Sequence, residues 1–484
     1  MIFNLLRIHQ TKALHCYILM TLWILLIVVG IYKFLESKQK LTETEVSSAS
    51  YTNLALDAKT KRIFRICNFP EDISTGDEGA IRGSKWYLKG LIILLRHGDR
   101  GPLQHIKKIS SINCGTENSE ILSSYKAYLR NQSLPGKVSW AGPGPFHNFP
   151  FLPVHPTQCH LGQLTMQGIF QLLKLGNLLK SNYEDIWAKL STLKPSEVLV
   201  YSTRYRRTFQ SVLAFLFGFI PSDVLEKISI HESQSMSFCF KDCGCPITEK
   251  LYRNVKKSIS QQLQSHPAVA ALAESTGSTL FSINGESTAT NADPHFIRDA
   301  LLTFVCHRNG LPCDSPVNCI RRQNVVGIFT YTDWINYQKW RDRNWKRYCL
   351  LKSYGLIRHI VQQMLQMVSD NGPYLVVYSG HDHTLEQLSC ALGLPNDPFL
   401  LRYAARIAIE IYQENEDYLA NNRGIYFRVL SNGVDVTRQI GFCRNTVSVS
   451  ARVYLCKMED IVRFLHDDYF STLNVTNFKD ACLR

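Results

Sequence analysis

The sequence predicts an α/β fold, with a mixed, mostly parallel central sheet flanked by helices, a mainly helical insert, and a single N-terminal transmembrane helix before the domain. Three observations lead to this prediction. From Leu88 onward, short apolar runs alternate with segments of helical spacing, which is typical of an α/β sheet. Residues 230–345 contain six cysteines and few strand-like runs. Residues 13–32 are almost entirely apolar.

The N-terminal segment Ala13–Tyr32 has His15 as its only residue that ionises near neutral pH. A helix of this length would span about 30 Å, the thickness of the hydrocarbon core of a bilayer. A cleaved signal peptide is the alternative, but its apolar core is usually about 7–15 residues and is followed by a small-x-small site, which YKFLESKQK lacks. We therefore expect a cytoplasmic tail at residues 1–12, a transmembrane signal-anchor at residues 13–34 and a lumenal stem at residues 35–84.

Cysteines and glycosylation sequons place the rest of the chain in the secretory lumen. Fourteen of the fifteen cysteines follow the apolar segment, and their scattered spacing favours disulfides in an oxidising compartment. Asn131 and Asn474 begin glycosylation sequons, which are used only in the lumen, although two sequons also arise by chance in a long chain. A zinc site from the Cys239–Cys245 group with His307 is an alternative whose spacing matches no standard pattern.

The composition and net charge of the chain limit which classes of protein it can belong to and which partners it can bind. The chain has 484 residues, of which 45% are hydrophobic and 19% are charged, and this is the composition of a globular protein. Its net charge of +14 favours acidic partners. The sequence has no run of five Lys or Arg, no zinc-finger spacing and no aromatic ribonucleoprotein motif, so we expect no nucleic-acid partner.

Strand-like runs and helical segments follow one another along the domain predicted for residues 85–484. Thr165 is placed to cap one of the helices, and Asn432-Gly433 predicts a turn before another short strand. In chain order the elements are the strand Leu91–Leu95, the helix Leu164–Lys180, the strand Val198–Tyr201, the helix Arg207–Gly218, the helical insert 230–345, the strand Leu375–Tyr378, the helix His383–Leu392 and the strand Ala405–Ile411.

Polar clusters follow three of these strands. Leu91–Leu95 leads into Arg96-His97-Gly98-Asp99-Arg100, and the other two runs lead toward Arg207 and into His381-Asp382. Ligands of open α/β sheets bind beyond the carboxyl ends of the strands. We therefore expect one crevice to contain the side chains of Arg96, His97, Arg100, Arg207, His381 and Asp382.

The residue types in this crevice suit phosphoryl transfer. Three guanidiniums out of water need an anion, and their fork geometry fits phosphate. A neutral histidine is a nucleophile, and Asp382 can protonate a departing oxygen if its carboxyl holds a proton. Alone, His97 could be a turn histidine and Asp382 a helix-start residue. Together the residues predict phosphoryl transfer by positioning and electrostatics, with no metal and no cofactor.

Four segments resemble the histidine acid phosphatases. RHGDRGP at residues 96–102 is similar to the RHGxRxP signature of that family, and STRYRRTFQS, YSGHDHT and GQLTMQG are similar to its other motifs. The resemblance implies that His97 becomes phosphorylated, that Asp382 is the proton donor, and that the phosphate is held by Arg96, Arg100, Arg207 and His381. The phosphoglycerate-mutase branch shares Arg-His-Gly but lacks the paired His-Asp.

Further segments indicate a branch of this family. RYAARIAIEIYQ, SNGVDVT and CGCP are similar to a Golgi enzyme that removes phosphate from xylose in the linkage region of proteoglycans. This resemblance implies a phosphorylated glycan as partner and a single-pass type II Golgi membrane protein with a lumenal catalytic part. The alternatives are a general acid phosphatase or inositol-phosphate phosphatase of the same fold, and an inactive lumenal glycan-binding protein.

Overall fold

The computed structural model describes Trp23 and residues 58–483, except positions 82, 84, 133–139, 141–143, 185–194, 234, 242, 282–291, 317, 370–371, 396, 398–401, 416–423, 444 and 451. The chain divides into two compact units, Met1–Ala55 and Leu56–Arg484. Trp23 is the one described residue of the first unit, so the structure below is that of the second unit.

The described residues form one central sheet of nine strands. In chain order these are β1 (Trp86–Arg96), β2 (Val198–Thr203), β3 (Ile230–Ser233), β4 (Leu375–Gly380), β5 (Arg406–Glu414), β6 (Ile425–Ser431), β7 (Val434–Asp435), β8 (Val447–Ser450) and β9 (Val453–Lys457).

Helices surround this sheet. They are α1 (Ala58–Cys67), α2 (Glu120–Gln132), α3 (Met166–Asn182), α4 (Arg206–Phe219), α5 (Ser222–Leu225), α6 (Ile247–Gln264), α7 (Pro267–Leu280), α8 (Pro294–Cys306), α9 (Arg322–Arg341), α10 (Arg343–Met367), α11 (Asp382–Ala391), α12 (Met458–Arg463) and α13 (Phe478–Leu483). Thr165 caps α3 as predicted, because its side chain accepts a hydrogen bond from the backbone N–H of Gly168.

The sheet is mixed, in the order β3-β2-β4-β1-β5-β6-β9-β8, with β7 paired to β6. Strands β3, β2, β4 and β1 are parallel, whereas the pairs from β1–β5 to β8–β9 are antiparallel. The prediction of a mostly parallel sheet is therefore wrong. Parallel neighbours need a crossover of about a dozen residues or more, and only Asn432 and Gly433 separate β6 from β7. Both have positive φ, as a tight hairpin turn requires, so the predicted turn is confirmed.

Two hydrophobic cores cover the two faces of the sheet. Leu91, Ile93 and Leu95 of β1 point into a core shared with α3 and α4. Ile92 and Leu94 point into a second core shared with α10 and α11. Since both faces of β1 are buried, its sequence is apolar at consecutive positions rather than alternating. A third core lies among α1, α7, α8 and α9, and it gives the helices of the insert an apolar centre of their own.

The predicted N-terminal transmembrane helix is corrected by the structure. Among the described residues, no helix is both long enough and apolar enough to cross a bilayer. The two longest helices, α9 and α10, have 20 and 25 residues, but basic side chains lie along α10 from Arg343 to Arg358. Residues 13–34, where the span was predicted, lie outside the described residues apart from Trp23.

Six disulfides connect the described part of the chain, which confirms the prediction that its cysteines form disulfides. The pairs are Cys67–Cys306, Cys114–Cys159, Cys239–Cys243, Cys245–Cys482, Cys313–Cys319 and Cys443–Cys456. The Cys67–Cys306 bond joins α1 to the end of α8. The Cys239–Cys245 group is also bonded, so its cysteines have no thiolates to offer the alternative zinc site.

Candidate active site

The three predicted polar clusters meet at one edge of the sheet. Arg96 at the end of β1 lies opposite Gly380 at the end of β4, and Ser202 of β2 lies opposite Ser379. Because these strands are parallel neighbours, the residues that follow them leave the sheet on the same side.

The loop after β1 is held closely against the first turn of α3. A Cβ on Gly98 would lie 2.3 Å from the carbonyl oxygen of Gly168, and a Cβ on Gly168 would lie 2.3 Å from that of Asp99. The backbone N–H of Gly98 donates to Ser211 Oγ at 3.1 Å, and that of Asp99 donates to Gln171 Oε1 at 2.7 Å. Both glycines are therefore needed for a rigid loop around His97.

His97 is a buried, neutral histidine with one ring nitrogen already occupied. Its Nδ1 lies 2.8 Å from the carbonyl oxygen of Gly98. A carbonyl can only accept a hydrogen bond, so Nδ1 carries the proton and Nε2 keeps its lone pair. Burial, together with the guanidiniums of Arg207 and Arg96, lowers the pKa of His97 well below its ordinary value. The ring is therefore uncharged at neutral pH.

Three arginines surround this ring, and two of them form ion pairs with carboxylates of the described residues. Arg96 pairs with Asp382 at 3.0 Å, and Arg100 pairs with Asp299 at 2.9 Å. Arg207 forms no ion pair with a carboxylate of the described residues, and burial followed by repulsion from Arg100 lowers its pKa to about 10. The Nε atoms of Arg100 and Arg207 are buried without a hydrogen-bond partner in the described structure. The crevice therefore has an excess of positive charge and free donors for an anion.

His381 stands beside His97 in the same crevice. The two rings meet edge to face, with centroids 5.5 Å apart. Arg207 Nη2 lies 3.4 Å from His381 Nδ1. A guanidinium can only donate, so Nδ1 accepts this hydrogen bond and the ring proton is on Nε2. Nε2 then donates to Thr203 Oγ1 at 3.0 Å. Burial and the Arg207 guanidinium lower the pKa of His381 to about 3. This second histidine is therefore also neutral.

Asp382 is the first residue of α11 and is partly exposed at the mouth of the crevice. Burial alone would raise the pKa of its carboxyl, but Arg96 and, to a smaller extent, His383 hold that pKa well below its usual value. Asp382 is therefore ionised when no ligand is bound.

The structure brings together all six crevice residues predicted from the sequence, and it adds residues that the sequence did not indicate. Asp99 Oδ2 accepts from Thr165 Oγ1 at 2.6 Å and lies 2.7 Å from His307 Nε2. Asp299 of α8 and His307, which follows α8, thus contact the loop after β1 from the insert. Motif spacing gave no signal for Asp299, and it indicated His307 only as a ligand of the alternative zinc site.

Tyr205 and Tyr403 also line this region. The Tyr403 ring lies 4.5 Å below the Arg96 guanidinium. The Tyr205 ring lies 4.5 Å from the Arg207 guanidinium and 5.0 Å from His381, and it is 40% exposed. An aromatic surface is therefore available beside the crevice. The two sequon asparagines, Asn131 and Asn474, are exposed on the surface elsewhere.

Comparison with known proteins identifies the family. The sequence model of the histidine phosphatase superfamily (branch 2) matches residues 87–432, a range that includes the whole crevice. The chain belongs to this superfamily. The resemblance found in its motifs is thereby confirmed, and the protein is a phosphoric monoester hydrolase of the histidine acid phosphatase type.

Relatives of this histidine phosphatase are similar over most of its length. 2-Phosphoxylose phosphatase 1 from Xenopus tropicalis is 32% identical over 81% of this chain and 76% of the relative. The protein of the same name from Homo sapiens is 29% identical over 86% of this chain and 85% of the relative. Lysosomal acid phosphatase from Bos taurus is 26% identical over 55% of this chain and 63% of the relative.

Proposed function

We propose that this phosphatase removes the 2-phosphate of xylose in the glycosaminoglycan–protein linkage region of proteoglycans, through a phosphohistidine intermediate. The observation that carries the chemistry is a neutral His97 whose free Nε2 lies among three arginines. The substrate is supported by the relatives named 2-phosphoxylose phosphatase 1, which align with more than four-fifths of the chain.

Phosphate binding is assigned to Arg96, Arg100, Arg207 and His381. The dianion supplies the charge that the crevice lacks, and it accepts hydrogen bonds from the unpartnered Nε atoms of Arg100 and Arg207. Its charge also raises the pKa of His381, because a nearby anion favours the imidazolium. His381 Nδ1 then gains a proton and can donate to a phosphate oxygen.

In the first step, His97 Nε2 attacks phosphorus. The new P–N bond forms as the P–O bond to the sugar breaks, and the sugar oxygen takes a proton from Asp382. Asp382 is ionised in the free protein, but a bound phosphate competes for Arg96, which is its main counter-charge. Loss of that interaction raises the pKa of the carboxyl and lets it hold the proton it must donate.

In the second step, water breaks the P–N bond. Asp382, now ionised again, takes a proton from the water as its oxygen attacks phosphorus. The P–N bond electrons return to His97 Nε2, and inorganic phosphate leaves. The arginines act in both steps by stabilising charge on the transferring group rather than by moving protons.

The mouth of the crevice suits a sugar within an acidic glycan. Tyr205 offers an exposed ring next to the crevice, and the flat apolar faces of sugar rings pack on aromatic rings. Arg204 and Arg206, on either side of Tyr205, are exposed and add a positive field that attracts an acidic polymer.

The proposed place of action is the lumen of the Golgi. Six disulfides in the described residues support an oxidising compartment, and Asn131 and Asn474 are exposed as glycosylation requires. Removal of N-glycans from the secreted or lumenal protein should increase its electrophoretic mobility. This placement would be wrong if glycosidase treatment did not change the mobility of the wild type and if the Asn131→Gln and Asn474→Gln variants migrated as the untreated wild type does.

The substrate proposal is tested by comparing kcat/KM for a linkage oligosaccharide carrying xylose 2-phosphate, inositol hexakisphosphate and p-nitrophenyl phosphate. The linkage oligosaccharide should be preferred, and Tyr205→Ala should reduce its kcat/KM about tenfold while leaving p-nitrophenyl phosphate nearly unaffected. Exposed Tyr337→Ala is the matched control. A preference for inositol hexakisphosphate would favour an inositol-phosphate phosphatase, and no turnover of any ester would favour a glycan-binding protein.

A further inference from the structure

A cavity of about 600 Å³ lies among α1, the end of α11 and the β6–β7 turn. Its walls include Asn68 after α1, Ser389 of α11, and Asn432 and Val434 at the turn. None of the six residues assigned to the chemistry lines it. A cavity of this volume has the size of a small-molecule site.

Two polar atoms in the cavity wall are buried without hydrogen-bond partners among the described residues. One is the hydroxyl oxygen of Ser389, whose residue is 2% exposed. The other is Nε of Arg402, whose Nη2 donates to the carbonyl oxygen of Asn432 at 3.4 Å. Buried polar groups in native proteins are normally bonded. Ser389 and Arg402 therefore offer a hydroxyl and a guanidinium N–H to a ligand.

The charge around Arg402 favours an acidic ligand. Burial, followed by repulsion from Arg406, lowers the pKa of Arg402 to about 10. Asp397 and Glu78 act in the opposite direction but do not restore the usual value. An anion at the guanidinium would supply the missing charge.

The remaining wall groups limit which anion fits. Asp72 and Asp397 are carboxylates, which repel a bare inorganic anion but accept hydrogen bonds from hydroxyl groups. Asn68 provides an amide, and Leu394 and Val434 provide apolar surface. A ligand with one carboxylate, several hydroxyls and an apolar C–H face satisfies all of these groups together.

We propose that this cavity binds a hexuronic acid, with its carboxylate at Arg402 and one of its hydroxyls at Ser389. The site is separate from the phosphate crevice, so the proposal does not depend on the substrate proposed above. The two sites are neighbours, because Arg402 of the cavity is followed in sequence by Tyr403, whose ring contacts Arg96. The carbonyl oxygen of Tyr403 accepts a hydrogen bond from Nδ2 of Asn68 in the cavity wall, at 2.6 Å.

Titration calorimetry of the whole protein with sodium glucuronate tests the proposal. Saturating inorganic phosphate is present throughout, so that the arginines of the catalytic crevice are occupied. We expect one saturable site, and affinity for glucose at least about tenfold lower, which corresponds to the loss of one charge-assisted hydrogen bond. Arg402→Gln should weaken glucuronate binding about tenfold or more, and Ser389→Ala about threefold to tenfold.

Exposed Arg130→Gln is the matched control for removal of a positive charge, and it should bind as the wild type does. Ser389→Ala removes only an unpartnered hydroxyl, so it should keep its melting temperature and its turnover of p-nitrophenyl phosphate even if Arg402→Gln fails to fold. Equal affinity for glucose and glucuronate, undiminished binding by Ser389→Ala, or no saturable binding of glucuronate in the presence of phosphate would each overturn the proposal.

Discussion

Buried arginines occur in two regions of this protein, and the two regions use them differently. In the first, which we call the β5–β6 network, Arg406 and Arg428 of the sheet pair with Glu78 and Glu410. Each arginine also donates to a backbone carbonyl of residues 74–79. The number of carboxylates equals the number of arginines, and the network fastens this segment to the sheet.

In the second region, the catalytic crevice, charges are not balanced. In the described part of the chain, Asp382 pairs with Arg96 and Asp299 pairs with Arg100, whereas Arg207 has no carboxylate partner there. Both histidines are held neutral. A buried charge that is left uncompensated costs stability, and the fold carries that cost at the place where we propose that a phosphate binds. The comparison shows that counting charges separates arginines that hold the fold together from arginines that await a ligand.

The largest effect is expected from His97→Ala. Removal of the proposed nucleophile would eliminate the covalent step, so kcat should fall by at least about 10⁴-fold. His97 is buried, so the variant also loses packing and one side-chain hydrogen bond, and its melting temperature must show that it is folded at the assay temperature. Exposed His231→Ala is the control, and it should retain full activity. A folded His97→Ala protein with more than about one-hundredth of the wild-type rate would assign the chemistry to another group.

Asp382→Asn should have the next largest effect, and the size of that effect should depend on the leaving group. A sugar alkoxide is strongly basic and needs the proton as it leaves, so its loss should be about 10²–10⁴-fold. p-Nitrophenolate leaves without much help and should lose far less. Asn starts a helix about as well as Asp, so the melting temperature controls for folding. Equal, small losses on both substrates would reduce Asp382 to a structural residue of α11.

Glu78→Gln tests the other side of the comparison. Glu78 and Arg406 are both fully buried, and removal of one partner from a buried pair costs about 3–5 kcal/mol. Unfolding in denaturant should show this loss, whereas kcat of the folded enzyme should stay close to the wild-type value. The double variant Glu78→Gln, Arg406→Met should recover part of the stability, since it leaves no unpaired charge. A variant with normal stability and impaired kcat would mean that the β5–β6 network belongs to the active site.

The sequence was sufficient to predict that these six residues meet in one crevice, because they follow strands that are parallel neighbours; their catalytic roles stay a prediction. Arg96 and His97 end one apolar run, and His381 and Asp382 end another, so local patterns carry the information. The turn at Asn432-Gly433 was predictable for the same reason. In contrast, the antiparallel half of the sheet depends on which strands pair, and short apolar runs do not specify their direction.

Contacts between the insert and the catalytic loop could not be predicted from local patterns. His307 is 208 residues from Asp99 in sequence, and nothing in its neighbourhood indicates a partner. The two meet because α8 is anchored by the Cys67–Cys306 disulfide and packs in the core of the insert. Asp299, on the same helix, reaches Arg100 for the same reason. Pairings of this kind follow from tertiary packing, which a single sequence does not show.

The smallest expected effect is a change in folding stability caused by Arg207→Gln. This variant is also the most direct test of the difference between the two regions. The pKa of Arg207 is lowered to about 10, well below its ordinary value in an unfolded chain. Below pH 10 the side chain is charged in both states, so its unfavourable environment destabilises the fold throughout the range in which the enzyme is studied. Without phosphate, Arg207→Gln should therefore be more stable than the wild type, by roughly 1 kcal/mol.

Saturating phosphate should reverse that order of stability. A ligand that binds only the folded protein stabilises it in proportion to its affinity, and the wild type has the additional guanidinium for the anion. Its melting temperature should rise more than that of Arg207→Gln, so that the two curves of melting temperature against phosphate concentration cross. Exposed Arg206→Gln is the matched control and should follow the wild type. If Arg207→Gln were less stable than the wild type even without phosphate, Arg207 would resemble the arginines of the β5–β6 network, and the distinction between the two regions would fail.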